Sequence, residues 1–303
     1  MSAGTTVDRT PVRRDFLDLA RLGRPGAWRW ILGVVTILFF WMILGAVPAL
    51  AGGGNPGDTG YLPYIALNLS FVAMLLGLWI AVRVIHRRPF LTLATPLRRL
   101  RPKLLALGFG AMLVGVTVAT AAEYLVARPE VSFQFNAGRY LMFLPVVLVL
   151  TSIQTTAEEL LFRGYLLQGT ALWTRNVVVL AMLNGVLFGV PHFLNPELRA
   201  GFVLVALYYV AFGALAAALA IRAGALELVI GVHAANNLFS ALIYGYATSA
   251  LSTEPLLVQK AIDPRWTLPG LAVTALVFVI ICRRRLTGAH ARATTHHAEL
   301  KHG

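Results

Sequence analysis

Charge is what this 303-residue sequence has least of. Asp, Glu, Lys and Arg together make up 13% of it, about half the share of an ordinary soluble domain. With 58% hydrophobic residues and a mean hydropathy of +0.72, the chain has too few polar groups to cover a water-soluble fold, and that class is excluded. Cysteine is nearly absent. Cys282 stands alone, beside Arg283, Arg284 and Arg285 at the end of the last hydrophobic run, so it forms no intrachain disulfide and reads as structural. The glycine-rich stretch Ala51 to Pro63 lacks a following GK[ST], which excludes a phosphate-binding loop and leaves a flexible turn. The net charge of +13 comes without zinc-knuckle spacing or basic residues interleaved with aromatics. The positive charges sit instead at the ends of hydrophobic runs, where they set topology and meet anionic lipid, so no nucleic-acid partner is expected. No cleavable signal is expected either, because about 27 residues precede a long first run.

What the sequence has in quantity is apolar runs of membrane-spanning length, roughly 20 residues each. Eight are expected: Ile31 to Ala51, Tyr64 to Val82, Leu104 to Val126, Met142 to Leu167, Val177 to His192, Phe202 to Ile221, Leu228 to Tyr246 and Leu268 to Cys282. The fold class is therefore all-α, a polytopic transmembrane helical bundle of about eight spans. Residues 1–30 form a basic cytoplasmic N-terminal segment, 31–282 the membrane domain with its motif-bearing core at about 140–247, and 283–303 a basic, His-containing cytoplasmic tail expected to be irregular from His290 onward. Arg87 to Lys103 reads as an amphipathic or looped connector lying on headgroups. An N-in arrangement places 21 Lys and Arg on the inner side and 5 on the outer, which predicts cytoplasmic termini. The chain is expected in the lipid bilayer of the cell (inner) membrane.

A charge at the bilayer centre costs about 2.5–3.5 kcal/mol on insertion scales, so ionisable groups inside a span are functional candidates. Of 13 acidic residues, only Glu158 and Glu159 lie well within a hydrophobic run; Glu123 and Glu227 sit near helix ends and the rest in loops or tails. Of seven histidines, only His192 and His233 fall within or at the end of a span, His86 and the others being peripheral. Glu159 and Arg163 are four apart and predicted to pair. Glu158 points about 100° away, free to face a polar cavity. Phe188 and His192 share a helix face, as do His233 and Asn237. Two carboxylates, two imidazoles and an amide on three helices suit peptide hydrolysis: a buried glutamate activates water and N–H groups stabilise the oxyanion.

These stretches resemble the motifs of the CAAX protease and bacteriocin-processing family, which are EExxxR, FxxxH and HxxxN in that order. Here they read EELLFR from Glu158 to Arg163, FGVPH from Phe188 to His192 and HAANN from His233 to Asn237. The resemblance implies an eight-helix intramembrane endopeptidase whose cavity opens towards the cytoplasm. It implies Glu158 as the residue that activates water, His192, His233 and Asn237 as holders of the oxyanion, and Glu159 and Arg163 as support. The implied substrate is a membrane-associated protein or peptide. No cofactor is favoured. The alternative is a zinc enzyme using His192, His233 and a glutamate, against which stand the missing HExxH and the poor ligand Asn237. A proton-coupled transporter and a noncatalytic immunity protein are the readings from other classes.

Depth poses a problem for this assembly. Glu158 and His192 each lie 17 residues from a turn near Arg175, about 25 Å, whereas His233 lies about 10 Å into its helix. Either the fourth helix overshoots the bilayer or loops enter it.

Overall fold

The computed structural model describes residues 15–53, 61–250 and 253–299, with side chains described as far as residue 283. Among the described residues there are eight principal helices: α1 (Ala27–Ala51), α2 (Tyr61–Ile85), α3 (Pro102–Ala127), α4 (Ala137–Thr170), α5 (Val177–His192), α6 (Phe202–Ala223), α7 (Glu227–Leu242) and α8 (Pro264–Glu299). Among the described residues, α1 to α4, α6 and the first part of α8 are each long and apolar enough to cross a bilayer, while α5 is apolar but shorter. The chain is a polytopic helical bundle, as its hydrophobic runs predict. Most of the expected turn between α1 and α2, residues 54–60, lies outside the described residues.

The helices alternate between two ends of the bundle. At one end, here called the basic end, lie the segment from Asp15, the α2–α3 connection, the α4–α5 turn and Gly224. At the other lie the α3–α4, α5–α6 and α7–α8 connections. This second end carries a small sheet that the periodicity did not predict: β1 (Val131–Phe133) pairs antiparallel with β3 (Leu257–Gln259), which pairs parallel with β2 (Tyr244–Tyr246). The expected helix Leu228 to Tyr246 therefore ends at Leu242, and its last residues are spent on strand pairing. In the other direction, α8 continues to Glu299, so the irregular tail expected from His290 is helical over most of its length. That stretch contains no proline and no glycine after Gly288, and nothing in it stops a helix.

The basic end is closed by buried polar contacts. The α2–α3 connector does not lie out on headgroups: Arg88, Leu93, Ala94 and Thr95 are buried. Arg88 donates to the Leu19 carbonyl at 2.6 Å and to Gln168 Oε1 at 2.9 Å. The Leu226 amide donates to the Ala94 carbonyl at 2.8 Å. His86, expected at the periphery, is buried, with Nε2 2.9 Å from the Tyr165 hydroxyl and its ring against Trp30. Burial and the cations Arg88 and Arg29 hold its pKa down to about 4. Glu227, expected to reach water, is buried and paired with Arg101 at 2.9 Å. Phe16, Leu17 and Leu19 join the core from a short 3-10 turn, Leu17–Arg21, so the basic N-terminal segment is partly a plug.

Several helix pairs among the described residues are packed backbone to backbone, α3 with α7 and α5 with α6 among them. A Cβ on Gly231 of α7 would stand 2.7 Å from the Phe109 backbone nitrogen of α3, and one on Gly213 of α6 would stand 2.9 Å from Gly185 Cα of α5. Small residues at such crossings let helices gain dispersion contact where lipid offers no hydrophobic driving force.

Candidate active site

The fourth helix solves the depth problem. At 34 residues and 1.5 Å per residue it is about 50 Å long, against a hydrocarbon core of about 30 Å. Its last turns overshoot and are wrapped by the connector and N-terminal segment, and this brings Glu158 level with His233. The helix is α-helical to Glu159 and π-helical over Leu160–Leu166, a wide turn that in helices commonly marks a functional site.

Glu158 and Glu159 are both buried, at 4% and 0% exposure, but their surroundings differ. Glu159 Oε1 accepts from Arg163 at 2.8 Å and lies 2.8 Å from His233 Nδ1. Arg163 also donates to the Gly213 carbonyl at 3.3 Å, and its guanidinium sits 4.3 Å from the centre of the Phe188 ring, a cation–π contact. Phe188 thus covers the ion pair. Glu158 has only a 3.5 Å contact from Gln154 Nε2 to its Oε1. Its Oε2 has no hydrogen-bond partner among the described residues and stands 3.7 Å from His233 Nε2. A buried polar atom left open in this way marks a place where chemistry or water is accommodated.

The histidines are held by their far nitrogens. His233 Nδ1 faces Glu159, and His192 Nδ1 lies 2.8 Å from the Phe188 carbonyl, to which it donates. In each neutral ring this fixes the proton on Nδ1 and leaves Nε2 as an acceptor. On α7, Asn236 Nδ2 donates to Asn237 Oδ1 at 3.1 Å, which engages the Asn237 acceptor and leaves its amide N–H groups as donors. The predicted residues Glu158, Phe188, His192, His233 and Asn237 all border one cavity of about 710 Å³, whereas Glu159 and Arg163 lie behind its wall.

Three residues at this cavity were not anticipated. Tyr209 of α6 stacks on His192 with ring centres 4.4 Å apart. Its hydroxyl donates to Glu197 Oε1 at 2.5 Å, and Glu197 Oε2 accepts from the Ala250 amide at 3.2 Å. Glu197 reads as a loop residue in the sequence but is buried here. Gln154 carried a usable signal, since it precedes Glu158 by four residues; Glu197 and Tyr209 carried none.

The cavity reaches the sheet end, where Leu194, Glu197, Ala250 and Asp263 border it, and among the described residues no basic-end segment lines it. The chain's described start lies at the other end. Cytoplasmic termini and a cavity open to the cytoplasm therefore do not hold together in this fold. Among the described residues no three His, Cys, Asp or Glu side chains converge as ligands for a metal ion.

Residues 140–239, which span all three motifs, match the family model of type II CAAX prenyl endopeptidase Rce1-like proteins. The chain is also similar to the uncharacterized protein YyaK of Bacillus subtilis (strain 168), with 36% identity over 221 residues, covering 71% of this chain and 74% of that protein. No solved structure matches it.

Proposed function

The chain belongs to the Rce1-like family of type II CAAX prenyl endopeptidases, and on that premise we propose that it hydrolyses a peptide bond of a membrane-associated protein or peptide with water activated by Glu158. The observation that carries this reading is the open Oε2 of Glu158, buried, facing the cavity and 3.7 Å from His233 Nε2. Glu158 takes a proton from water, and the hydroxide attacks the scissile carbonyl carbon. The Asn237 amide supplies N–H donors to the oxyanion. Glu158 then returns the proton to the departing amide nitrogen as the C–N bond breaks. His192 and His233 present acceptor nitrogens that orient the water. Glu159 with Arg163 fixes the His233 tautomer. The reading requires no cofactor.

The test uses protein purified in detergent and a reporter peptide. Glu158→Gln is expected to lower turnover by about 10²–10⁴-fold, the range for loss of a general base, with thermal unfolding unchanged. Unchanged turnover overturns the assignment.

A further inference from the structure

We propose that the cavity is loaded from the extracytoplasmic side, by an extended polypeptide segment presented at the outer face of the membrane. The inference rests on the endopeptidase reading and adds to it the face and form of the substrate. Two independent observations carry it. The first is charge. Of the Lys and Arg whose side chains are described, 14 lie at the basic end and its flanks, with Arg88 and Arg163 among them buried within the protein; setting those two aside leaves 12 against the 5 of the sheet end. Lys and Arg in short loops decide orientation, and an excess of this size places the basic end in the cytoplasm. The second is the cavity, which is bordered by sheet-end loops and sealed at the basic end by the buried Arg88–Gln168 and His86–Tyr165 contacts. Together they put the mouth outside.

The depth of the cavity defines what fits. α2 lines it from Pro63 to Phe71, α3 from Met112 to Glu123 and α8 from Trp266 to Thr274, rises of about 12–16 Å. At about 3.3 Å per extended residue, four or five residues of substrate separate the mouth from Glu158. A cavity of about 710 Å³ does not hold a folded domain; a flexible terminus or a segment emerging from the outer leaflet reaches its floor.

The test reads accessibility rather than turnover. In a Cys282→Ala background, Ser240→Cys places a thiol in the cavity wall and Arg24→Cys places one at the basic end. Intact cells and inverted membrane vesicles are treated with a membrane-impermeant maleimide, with Thr120→Cys as a second cavity position should Ser240→Cys fail to fold. The expected result is at least tenfold stronger labelling of the cavity cysteine in intact cells and of Arg24→Cys in inverted vesicles. Cavity labelling confined to inverted vesicles, or both positions labelled from one side, overturns the proposal. Because labelling needs no proteolysis, a noncatalytic protein would leave this result standing, and a reversed orientation would leave detergent cleavage intact.

Discussion

The two ends of the bundle use buried polar groups in opposite ways. At the basic end they are turned towards one another: Arg88 Nη1 is held by Leu19 and Gln168, with Nε and Nη2 enclosed by protein away from the cavity, His86 by Tyr165 and Glu227 by Arg101. Towards the sheet end they face empty space, with Glu158 Oε2 open and the Nε2 of both histidines turned to the cavity. Glu159 and Arg163 stand at the boundary, paired with each other and with His233 but with Glu159 Oε2 and Arg163 Nε left without partners behind the cavity wall. The comparison teaches that burial by itself does not identify chemistry here. An arginine and a histidine at the closed end are as buried as the proposed base, and the distinguishing property is a partnerless atom on a cavity.

Substitution at the boundary should have the largest effect. Arg163→Ala leaves Glu159 buried without its cation, and breaking a buried pair from one side costs about 3–5 kcal/mol. The expected outcome is a large fall in unfolding temperature in detergent together with loss of turnover; a variant as stable as the parent would erase the boundary. On the cavity side, Tyr209→Phe keeps the ring stacked on His192 but removes the hydroxyl from Glu197. Turnover should fall about tenfold, equivalent to about 1.4 kcal/mol, with KM and unfolding temperature nearly unchanged and a displaced pH–rate profile. A stability loss without a kinetic one would show that Tyr209 belongs with the closed end.

The smallest effect is expected at His86. Its folded pKa of about 4 lies below the usual value near 6.5, so between those pH values the unfolded chain binds the extra proton. Stability should fall as pH is lowered from 6.5 to 4 and level off below. His86→Gln should flatten that slope in thermal scans across pH; an unchanged slope would assign it to other groups.

The helices were legible because each apolar run is long enough to outweigh local ambiguity, and the trio of motifs because spacings of four keep residues on one helix face. Glu159 and Arg163 pair as their spacing predicts. Legibility failed where only tertiary contact decides. Strands of three residues, such as Tyr244–Tyr246, are too short to interrupt a hydrophobic pattern and were absorbed into the preceding helix. His86 and Glu227 looked peripheral because a linear map cannot show that the N-terminal segment and the α2–α3 connector fold back over the helix ends. Glu197 was hidden for the same reason, as a loop residue carried into the cavity by contacts with Tyr209 and Ala250. The direction in which the cavity opens is a property of all eight helices at once and of no single run.

The glycine crossings determine how this molecule can breathe. Where Gly231 meets the backbone of Phe109 and Gly213 meets Gly185, there is no side chain to swing aside and no slack to take up. α3 and α7 are thus held as one unit, and α5 and α6 as another, so His233 and Asn237 are carried with α3 and His192 with α6. α1 and α2, which border the cavity through Trp41, Ala49 and Pro63, meet each other as closely, since a Cβ on Gly45 would stand 2.9 Å from Ser70 Cα and one on Gly77 3.1 Å from Ile37 Cα. The cavity is thus framed by tightly coupled helix pairs, and room for an occupant has to be found between pairs rather than within them.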